Sequence, residues 1–179
     1  SVVGRTFFYE ILNRVTNLKN QIDQSLRGLE RLDLIRTRAL QPDLEYIFKH
    51  ALTQEVVYNG LLKKERQAIH ERIGLVMEHL FKDKLPEYYE TLAYHFQQGQ
   101  SRSKAVDYLV KAGEKSLARY SLDEAHRYFQ EAYDILSSKQ EKSIEEKKLI
   151  IDLILEWALV FYYRCDVKGW KNMFEAHKE

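Results

Sequence analysis

Residues 46–58 read Tyr-Ile-Phe-Lys-His-Ala-Leu-Thr-Gln-Glu-Val-Val-Tyr, and the hydrophobic period of this stretch changes at His50. Before the histidine, Tyr46 and Phe48 occupy alternate positions, as in a strand; after it, Leu52 and Val56 recur at helical spacing. The stretch therefore predicts a strand that passes into a helix at His50. Upstream of it the pattern indicates a compact α/β module, and downstream it indicates helix after helix.

Composition limits the possible classes of protein. The chain has 179 residues, 45% of them hydrophobic and 12% aromatic, which is enough for one large or two small domains with real cores. Its 28 basic and 27 acidic residues are intermixed, so charge alone does not favour nucleic acid as a partner. A single cysteine, Cys165, excludes an internal disulfide, and no apolar run approaches the roughly 20 residues that span a bilayer. We expect a soluble, cytoplasmic protein.

Two amphipathic helices and a β-hairpin are predicted upstream of His50. Helical periodicity covers residues 6–15 and 18–32, and residues 34–38 and 44–49 form the two strands on either side of a turn at residues 41–43. This order is that of the later part of a winged helix, whose first helix would precede Ser1. We therefore expect the chain to be a piece of a longer protein.

A winged helix raises the hypothesis of DNA binding, because the helix before the hairpin is the one that enters a major groove. The polar face of the helix at residues 18–32 mixes both charges. Its charged residues are Lys19, Asp23, Arg27, Glu30 and Arg31. Such a face favours a packing role over DNA binding.

A helical repeat is predicted downstream, after helices at residues 52–62 and 64–81 and a break at Pro86. Residues 104–112 align with residues 124–132 at an offset of 20, and two such helices give a unit of about 40 residues, which is typical of a solenoid. Small residues and large apolar residues recur at the positions where helices would pack together. These predicted packing residues are Leu92, Ala93, Ala105, Leu109, Ala112, Gly113, Ala125, Phe129 and Ala132.

Capping motifs predict where the later helices begin. Ser121 and Ser143 are each followed three residues later by glutamate, which is the form of a capping box. A long helix is predicted from Ile144 to about Arg164, and after a turn at residues 166–169 a final helix is predicted from Trp170.

Residues 1–7, 48–58 and 90–136 resemble the region that follows the nucleotide-binding domain in bacterial STAND-type ATPases, above all in large proteins that also carry a class III adenylate/guanylate cyclase domain. The resemblance implies a mainly α protein, with a winged-helix remnant over residues 1–62 and tetratricopeptide-like repeats, an α-α superhelix, over residues 63–179. It implies a role in signal transduction through protein–protein interaction. The partner would be another protein or the neighbouring domains of the same chain, and ATP or ADP with Mg²⁺ would be held elsewhere in the parent protein.

The resemblance extends to His50. Residues 49–55 are similar to the Met-His-Asp motif of plant resistance and apoptosome-type ATPases, with Lys49 and Ala51 on either side of the histidine in this chain. In those proteins the histidine contacts the β-phosphate of bound ADP and holds the inactive state. A histidine at a helix start, near free backbone N–H groups, is chemically suited to a phosphate. The alternative is that His50 only caps or packs at the junction.

No spacing in the sequence is typical of a catalytic or metal site. The six histidines form no His-Glu-x-x-His pattern, and no Gly-x-x-x-x-Gly-Lys loop is present. We therefore expect no catalysis, no metal site and no cofactor in these residues. The predicted function is regulatory coupling of a helical-repeat sensor arm to an upstream ATPase domain; the alternative is the DNA-binding part of a STAND-type transcription regulator.

Overall fold

The computed structural model describes residues 1–16, 21–40, 43–138 and 141–176. These residues form a mainly α-helical protein with a small three-stranded antiparallel sheet, which confirms the predicted mainly α class. The strands are β1 (Thr6–Phe8), β2 (Ile35–Ala39) and β3 (Glu45–Phe48). The helices are α1 (Tyr9–Val15), α2 (Ile22–Arg31), α3 (Ala51–Asn59), α4 (Lys63–Leu80), α5 (Tyr89–Gln98), α6 (Arg102–Ala118), α7 (Leu122–Ser137), α8 (Ile144–Tyr163) and α9 (Val167–Ala176).

The chain divides into two compact units. The first contains Ser1–Asp83 and His95–Ser101, and the second contains Lys84–Tyr94 and Arg102–Glu179. Helix α5 therefore contributes its first six residues to the second unit and its last four to the first. The predicted boundary between residues 62 and 63 falls inside the first unit, at the start of α4, and the assignment of residues 1–62 and 63–179 to two domains stays a prediction.

The core of the first unit lies between the sheet and helix α2. Strand β3 is central and pairs antiparallel with both β1 and β2, so that Tyr46 lies opposite Phe7 on one side and Thr37 on the other. Alternate residues of β3, Tyr46 and Phe48, are buried, as the period of two predicts. The buried residues of this core are Phe7, Ile22, Leu26, Ile35, Tyr46 and Phe48.

The predicted β-hairpin is confirmed, whereas the predicted helix over residues 6–15 is wrong in its first turn. Thr6–Phe8 is a strand, because Phe7 joins the buried core and its backbone pairs with β3. A run as short as Thr-Phe-Phe has no period of its own, so the sequence pattern assigned it to the helix that follows. Residues 41 and 42 of the predicted turn lie outside the described residues, as do residues 17–20.

Helix α4 belongs to the first unit, where it packs against α1. Its buried residues recur at helical spacing and are His70, Ile73, Gly74 and Met77. The aromatic ring of Phe96, in the last turn of α5, lies so close to Gly74 that a Cβ atom there would come within 2.7 Å of the Phe96 Cζ atom. Glycine at this position lets α4 and the last turn of α5 approach closely.

The second unit is built from antiparallel helices, of which α6 and α7 share the largest contact and α7 packs next on α8. The turn between α6 and α7 is tight: Tyr120 has a left-handed backbone (φ 57°), and the Ser121 N–H donates to the Ser116 carbonyl (2.9 Å). This is the usual way in which a helix ends against a left-handed residue. Because α6 fixes the backbone of Ser121, its side chain makes no capping hydrogen bond, so the capping box predicted there is wrong.

The capping box predicted at Ser143 is confirmed. The Ser143 hydroxyl accepts from the Glu146 N–H (3.2 Å), and the Glu146 carboxylate accepts from the Ser143 N–H (2.8 Å). The final helix begins at Val167 rather than at Trp170, because the Asp166 carboxylate accepts a hydrogen bond from the Gly169 N–H (2.8 Å) and so satisfies the first turn.

Candidate functional site

His50 lies where the sequence predicts it, between β3 and α3. It is the residue before the first helical turn, with an extended backbone (φ −116°, ψ 128°), and its side chain is exposed and makes no capping hydrogen bond to α3. Next to it, the Lys49 ammonium pairs with the Asp33 carboxylate. The junction therefore presents an imidazole to solvent at the N-terminal end of a helix.

Helix α3 is a surface helix with no buried residue. Leu52 and Val56, which the spacing predicts on its packed side, are 74% and 71% exposed. They do not hold the junction; Tyr46 and Phe48 of β3 do, because both are buried in the core of the first unit. Helix α3 is held in place instead by polar contacts, such as the hydrogen bond that the Gln54 amide donates to the Ser1 carbonyl (2.9 Å).

Two buried histidines lie beyond the far end of α3, in the same unit. His70 of α4 is 0% exposed and His95 of α5 is 1% exposed, and their Nδ1 atoms are 2.9 Å apart. The Nε2 atom of His70 lies 3.1 Å from the Tyr58 hydroxyl of α3. The three side chains form a continuous hydrogen-bonded chain, which we call the Tyr58–His70–His95 chain.

Burial controls the protonation of this chain. It lowers the pKa of His70 to about 4, with a further contribution from the nearby Arg66 charge. Burial likewise lowers the pKa of His95 to about 3, and a charge on His70 would lower it further. Both imidazoles are therefore neutral near pH 7.

A neutral chain can be hydrogen-bonded in two ways. Either His70 donates from Nδ1 to His95 and accepts at Nε2 from the Tyr58 hydroxyl, or His95 donates to His70, which then donates to the Tyr58 oxygen. Each neutral arrangement satisfies both hydrogen bonds. The Tyr58–His70–His95 chain can thus transmit a change of tautomer between α3 and α5. Among the described residues it lacks a third ligand that would make it a metal site.

The sequence pattern does not predict that His70 and His95 lie in contact, although it contains a signal that they are buried. His70 is three residues before Ile73 and seven before Met77, so it lies on the buried side of α4 by helical spacing. His95 stands directly before the buried Phe96. That the two meet depends on the packing of α5 on α4, which spacing within one helix does not show.

Comparison with known proteins gives one relative. The chain is 28% identical over 110 residues to an uncharacterised protein of Rhizobium meliloti (strain 1021), and the match covers 60% of this chain but only 10% of that protein. The matched region is thus a small part of a much longer protein. No family model matches the chain, and no solved structure matches it significantly.

The nine predicted packing residues all lie at buried positions. Leu92, Leu109, Ala112, Ala125, Phe129 and Ala132 are 0% exposed, and Ala93, Ala105 and Gly113 are also buried. All nine belong to the second unit. Their burial does not identify the type of repeat, and their role in repeat packing stays a prediction.

Ala112→Leu or Ala132→Leu is expected to destabilise the second unit by about 1–3 kcal/mol, because each adds three carbon atoms where the alanine is fully buried. Thermal unfolding followed by the fluorescence of Trp157 and Trp170, both of which lie in this unit, would measure the loss. The same change at the exposed Ala118 is the control and should leave the melting temperature nearly unchanged. Equal melting temperatures for all these variants would contradict the packing assignment.

No helix in the described part of the chain is long and apolar enough to cross a membrane.

Proposed function

We propose that this chain is a non-catalytic regulatory module of a larger signalling ATPase or nucleotide cyclase. In this proposal residues 1–62 are a winged-helix segment next to the ATPase domain, and residues 63–179 are a tetratricopeptide-like sensor arm. The order strand, helix, helix and hairpin in the first unit supports the winged-helix segment, and the helical pairs of the second unit support the repeat arm. ATP or ADP with Mg²⁺ would bind to the ATPase domain.

The observation that carries the proposal is the surface at the junction of β3 and α3. His50 is exposed at the start of α3, and the apolar side chains of Leu52 and Val56, two and six residues further on, are exposed as well. Isolated exposed leucines are common, but a leucine and a valine four residues apart form one continuous apolar face beside a polar group. A neighbouring domain that covers this face would place its bound phosphate within reach of the imidazole.

The relative from Rhizobium meliloti gives independent support. Because the match occupies only 10% of that protein, the shared region there is accompanied by a large amount of other sequence. A module that serves other domains of its own chain is expected in such a setting.

DNA binding through α2 has less support. The exposed face of that helix places Asp23 among the cationic Arg27 and Arg31, and the Asp23 carboxylate accepts a hydrogen bond from the Tyr9 hydroxyl (2.8 Å). A fixed carboxylate at this position opposes the approach of a phosphate backbone.

His50→Ala in the full-length parent is expected to raise basal activity roughly tenfold or more, because one hydrogen bond to a phosphate contributes about 1–3 kcal/mol to the inactive state. The stability of this chain should not change, since the exposed imidazole packs on nothing in the core. Basal nucleotide turnover and thermal unfolding would be measured on the same variant.

His79→Ala is the matched control, because His79 is likewise an exposed histidine of the first unit but lies within α4, distant in sequence from the junction. It should change neither quantity. Lower stability of His50→Ala with unchanged basal activity would show that His50 is structural, and the proposal would lose its support.

A further inference from the structure

Helix α8 is apolar on two opposite sides. One side faces the rest of the second unit and buries Leu153, Trp157, Val160 and Phe161. The other side leaves large apolar side chains in solvent: Ile144, Ile151, Leu155 and Tyr162 are between 59% and 83% exposed. A helix that is hydrophobic all round is normally covered all round, so this second side lacks a partner among the described residues.

The exposed side has the spacing of a coiled coil. Successive positions along it are separated by four, three, four, three and four residues, which is the alternation of a heptad seam. These positions, which we call the α8 seam, are Ile144, Lys148, Ile151, Leu155, Ala158 and Tyr162. A helix of 20 residues makes the seam about 30 Å long.

Charges beside the seam select one kind of partner. Lys147 and Asp152 are exposed, lie on opposite flanks of the seam, and are five residues apart. In a parallel pair of identical helices, residues with that spacing face each other across the seam, so Lys147 of each copy would pair with Asp152 of the other. An antiparallel pair centred on the middle of α8 would instead bring the two Asp152 carboxylates together.

We propose that the α8 seam is a self-association surface, on which a second copy of this chain docks in parallel to form a dimer. Along its first half the seam is bordered by the charged Glu145, Lys147 and Asp152, which a larger helical bundle would bury, whereas the partly exposed Leu159 borders its second half. Lys148 interrupts the seam at one core position; a lone lysine there weakens association but fixes the register and the number of copies. The proposal is independent of the function proposed above.

The first test is the oligomeric state of the whole 179-residue chain. Analytical ultracentrifugation over a range of concentrations is expected to show a reversible dimer, and Leu155→Glu, which places a charge in the centre of the seam, is expected to abolish it. The control is Leu52→Glu, because Leu52 is as exposed as Leu155 but lies on α3 in the first unit. A chain that stays monomeric at every concentration would overturn the proposal, and so would a dimer that Leu155→Glu leaves intact.

The second test is an exchange of charges. Lys147→Glu and Asp152→Lys are each expected to raise the dissociation constant about tenfold, since each converts two attractive pairs of the dimer into repulsive ones. The double variant should bring the constant back to near its original value, and the difference between variants should shrink at high salt. Failure of the double variant to recover association would overturn the parallel arrangement.

Two further variants separate the parallel from the antiparallel dimer and test the role of Lys148. Asp152→Asn should weaken a parallel dimer by removing two ion pairs, whereas it would strengthen an antiparallel one by removing a repulsion; stronger association would therefore contradict the proposal. Lys148→Ile should tighten the dimer by completing the apolar seam. Unchanged association in Lys148→Ile would show that the seam is not the interface.

Discussion

Lowering the pH from about 8 to about 5 is expected to destabilise the first unit by about 4 kcal/mol, because its two buried histidines stay neutral in the folded state and become charged in the unfolded one. Both imidazoles are almost completely buried, and the Nδ1 atoms that face each other are 2.9 Å apart. The protein should therefore be markedly more sensitive to acid than its near-neutral net charge suggests.

The direction follows from the two pKa values. An unfolded histidine has a pKa of about 6.5, whereas burial lowers the pKa of His70 to about 4 and that of His95 to about 3. The unfolded chain therefore binds more protons between these values, so stability is complete above about pH 6.5 and falls as the pH is lowered. At about pH 5 the contribution of each histidine to the free energy of unfolding is lower by about 2 kcal/mol, since each pH unit below the unfolded pKa removes about 1.4 kcal/mol.

The groups around the pair reinforce this direction. The Arg66 guanidinium lowers the pKa of His70, and the Tyr58 hydroxyl can either accept from His70 or donate to it. A first proton on His70 leaves both of its nitrogens able to donate, to Tyr58 and to His95. A second proton would place two N–H groups against each other across 2.9 Å, which the pair cannot accommodate in its present geometry.

Urea unfolding at several pH values measures the effect, with the two units followed separately. Both tryptophans lie in the second unit, so their fluorescence reports that unit, whereas far-ultraviolet circular dichroism reports both. Replacing His70 and His95 together with leucine should remove most of the pH dependence, while His79→Gln should preserve it, because His79 is exposed. A wild-type first unit equally stable at both pH values would show that the buried pair does not titrate as described.

Local patterns predicted the elements of this fold well where a single period extends over a whole element. The long helices α4, α7 and α8 begin within one residue of the predicted starts, and the hairpin of β2 and β3 is formed as expected. In α8 a capping box adds a second signal at Ser143, and there the structure agrees. A hydrophobic period and a capping motif depend only on residues that are close together in the sequence, so both can be recognised from the sequence alone.

Predictions failed where contacts between elements decide the outcome. Thr6–Phe8 is a strand because a second strand is available to pair with it, and Ser121 does not cap α7 because the end of α6 fixes its backbone. Leu52 and Val56 have the spacing of a buried face, yet no other described element covers them. Helical spacing predicts that residues share a side, but it does not predict what lies against that side.

The candidate site divides in the same way. The position of His50 at a strand-to-helix junction was predictable, because the change of period marks it directly. The contact between His70 and His95 was not, since the two histidines are 25 residues apart on helices whose relative rotation is set by the approach of Phe96 to Gly74. A contact that depends on how two helices pack together can be identified only from the structure.

Gly113→Leu is expected to destabilise the second unit by about 3 kcal/mol or more, because the new side chain would enter space that the Phe129 ring already fills. The ring of Phe129 lies against Gly113 so closely that a Cβ atom there would be 2.5 Å from the Phe129 Cε1 atom and 2.7 Å from its Cδ1 atom. Phe129 is itself fully buried, so its ring has no solvent-filled space into which it could turn. Any side chain at residue 113 must therefore separate α6 from α7.

A series of substitutions separates this overpacking from the ordinary preference of a helix for other residues over glycine. Gly28, in the middle of α2, is the matched control, because a Cβ atom added there meets nothing within 4 Å. Gly28→Ala should stabilise the protein by about 0.5–1 kcal/mol, since alanine loses less backbone entropy on folding than glycine does. Gly113→Ala gives the same entropic stabilisation, but its Cβ atom also clashes with the Phe129 ring. The free energy of unfolding should therefore fall by about 2 kcal/mol overall.

Shortening the opposing side chain gives the decisive comparison. Phe129→Leu removes the ring atoms that an added Cβ would meet, so Gly113→Ala should cost much less in that background than in the wild-type chain. Urea unfolding followed by tryptophan fluorescence would measure all four combinations in the unit that contains both residues. Additive effects would mean that Gly113 is required for a reason other than its contact with Phe129, and the close approach of α6 and α7 would then not depend on this pair.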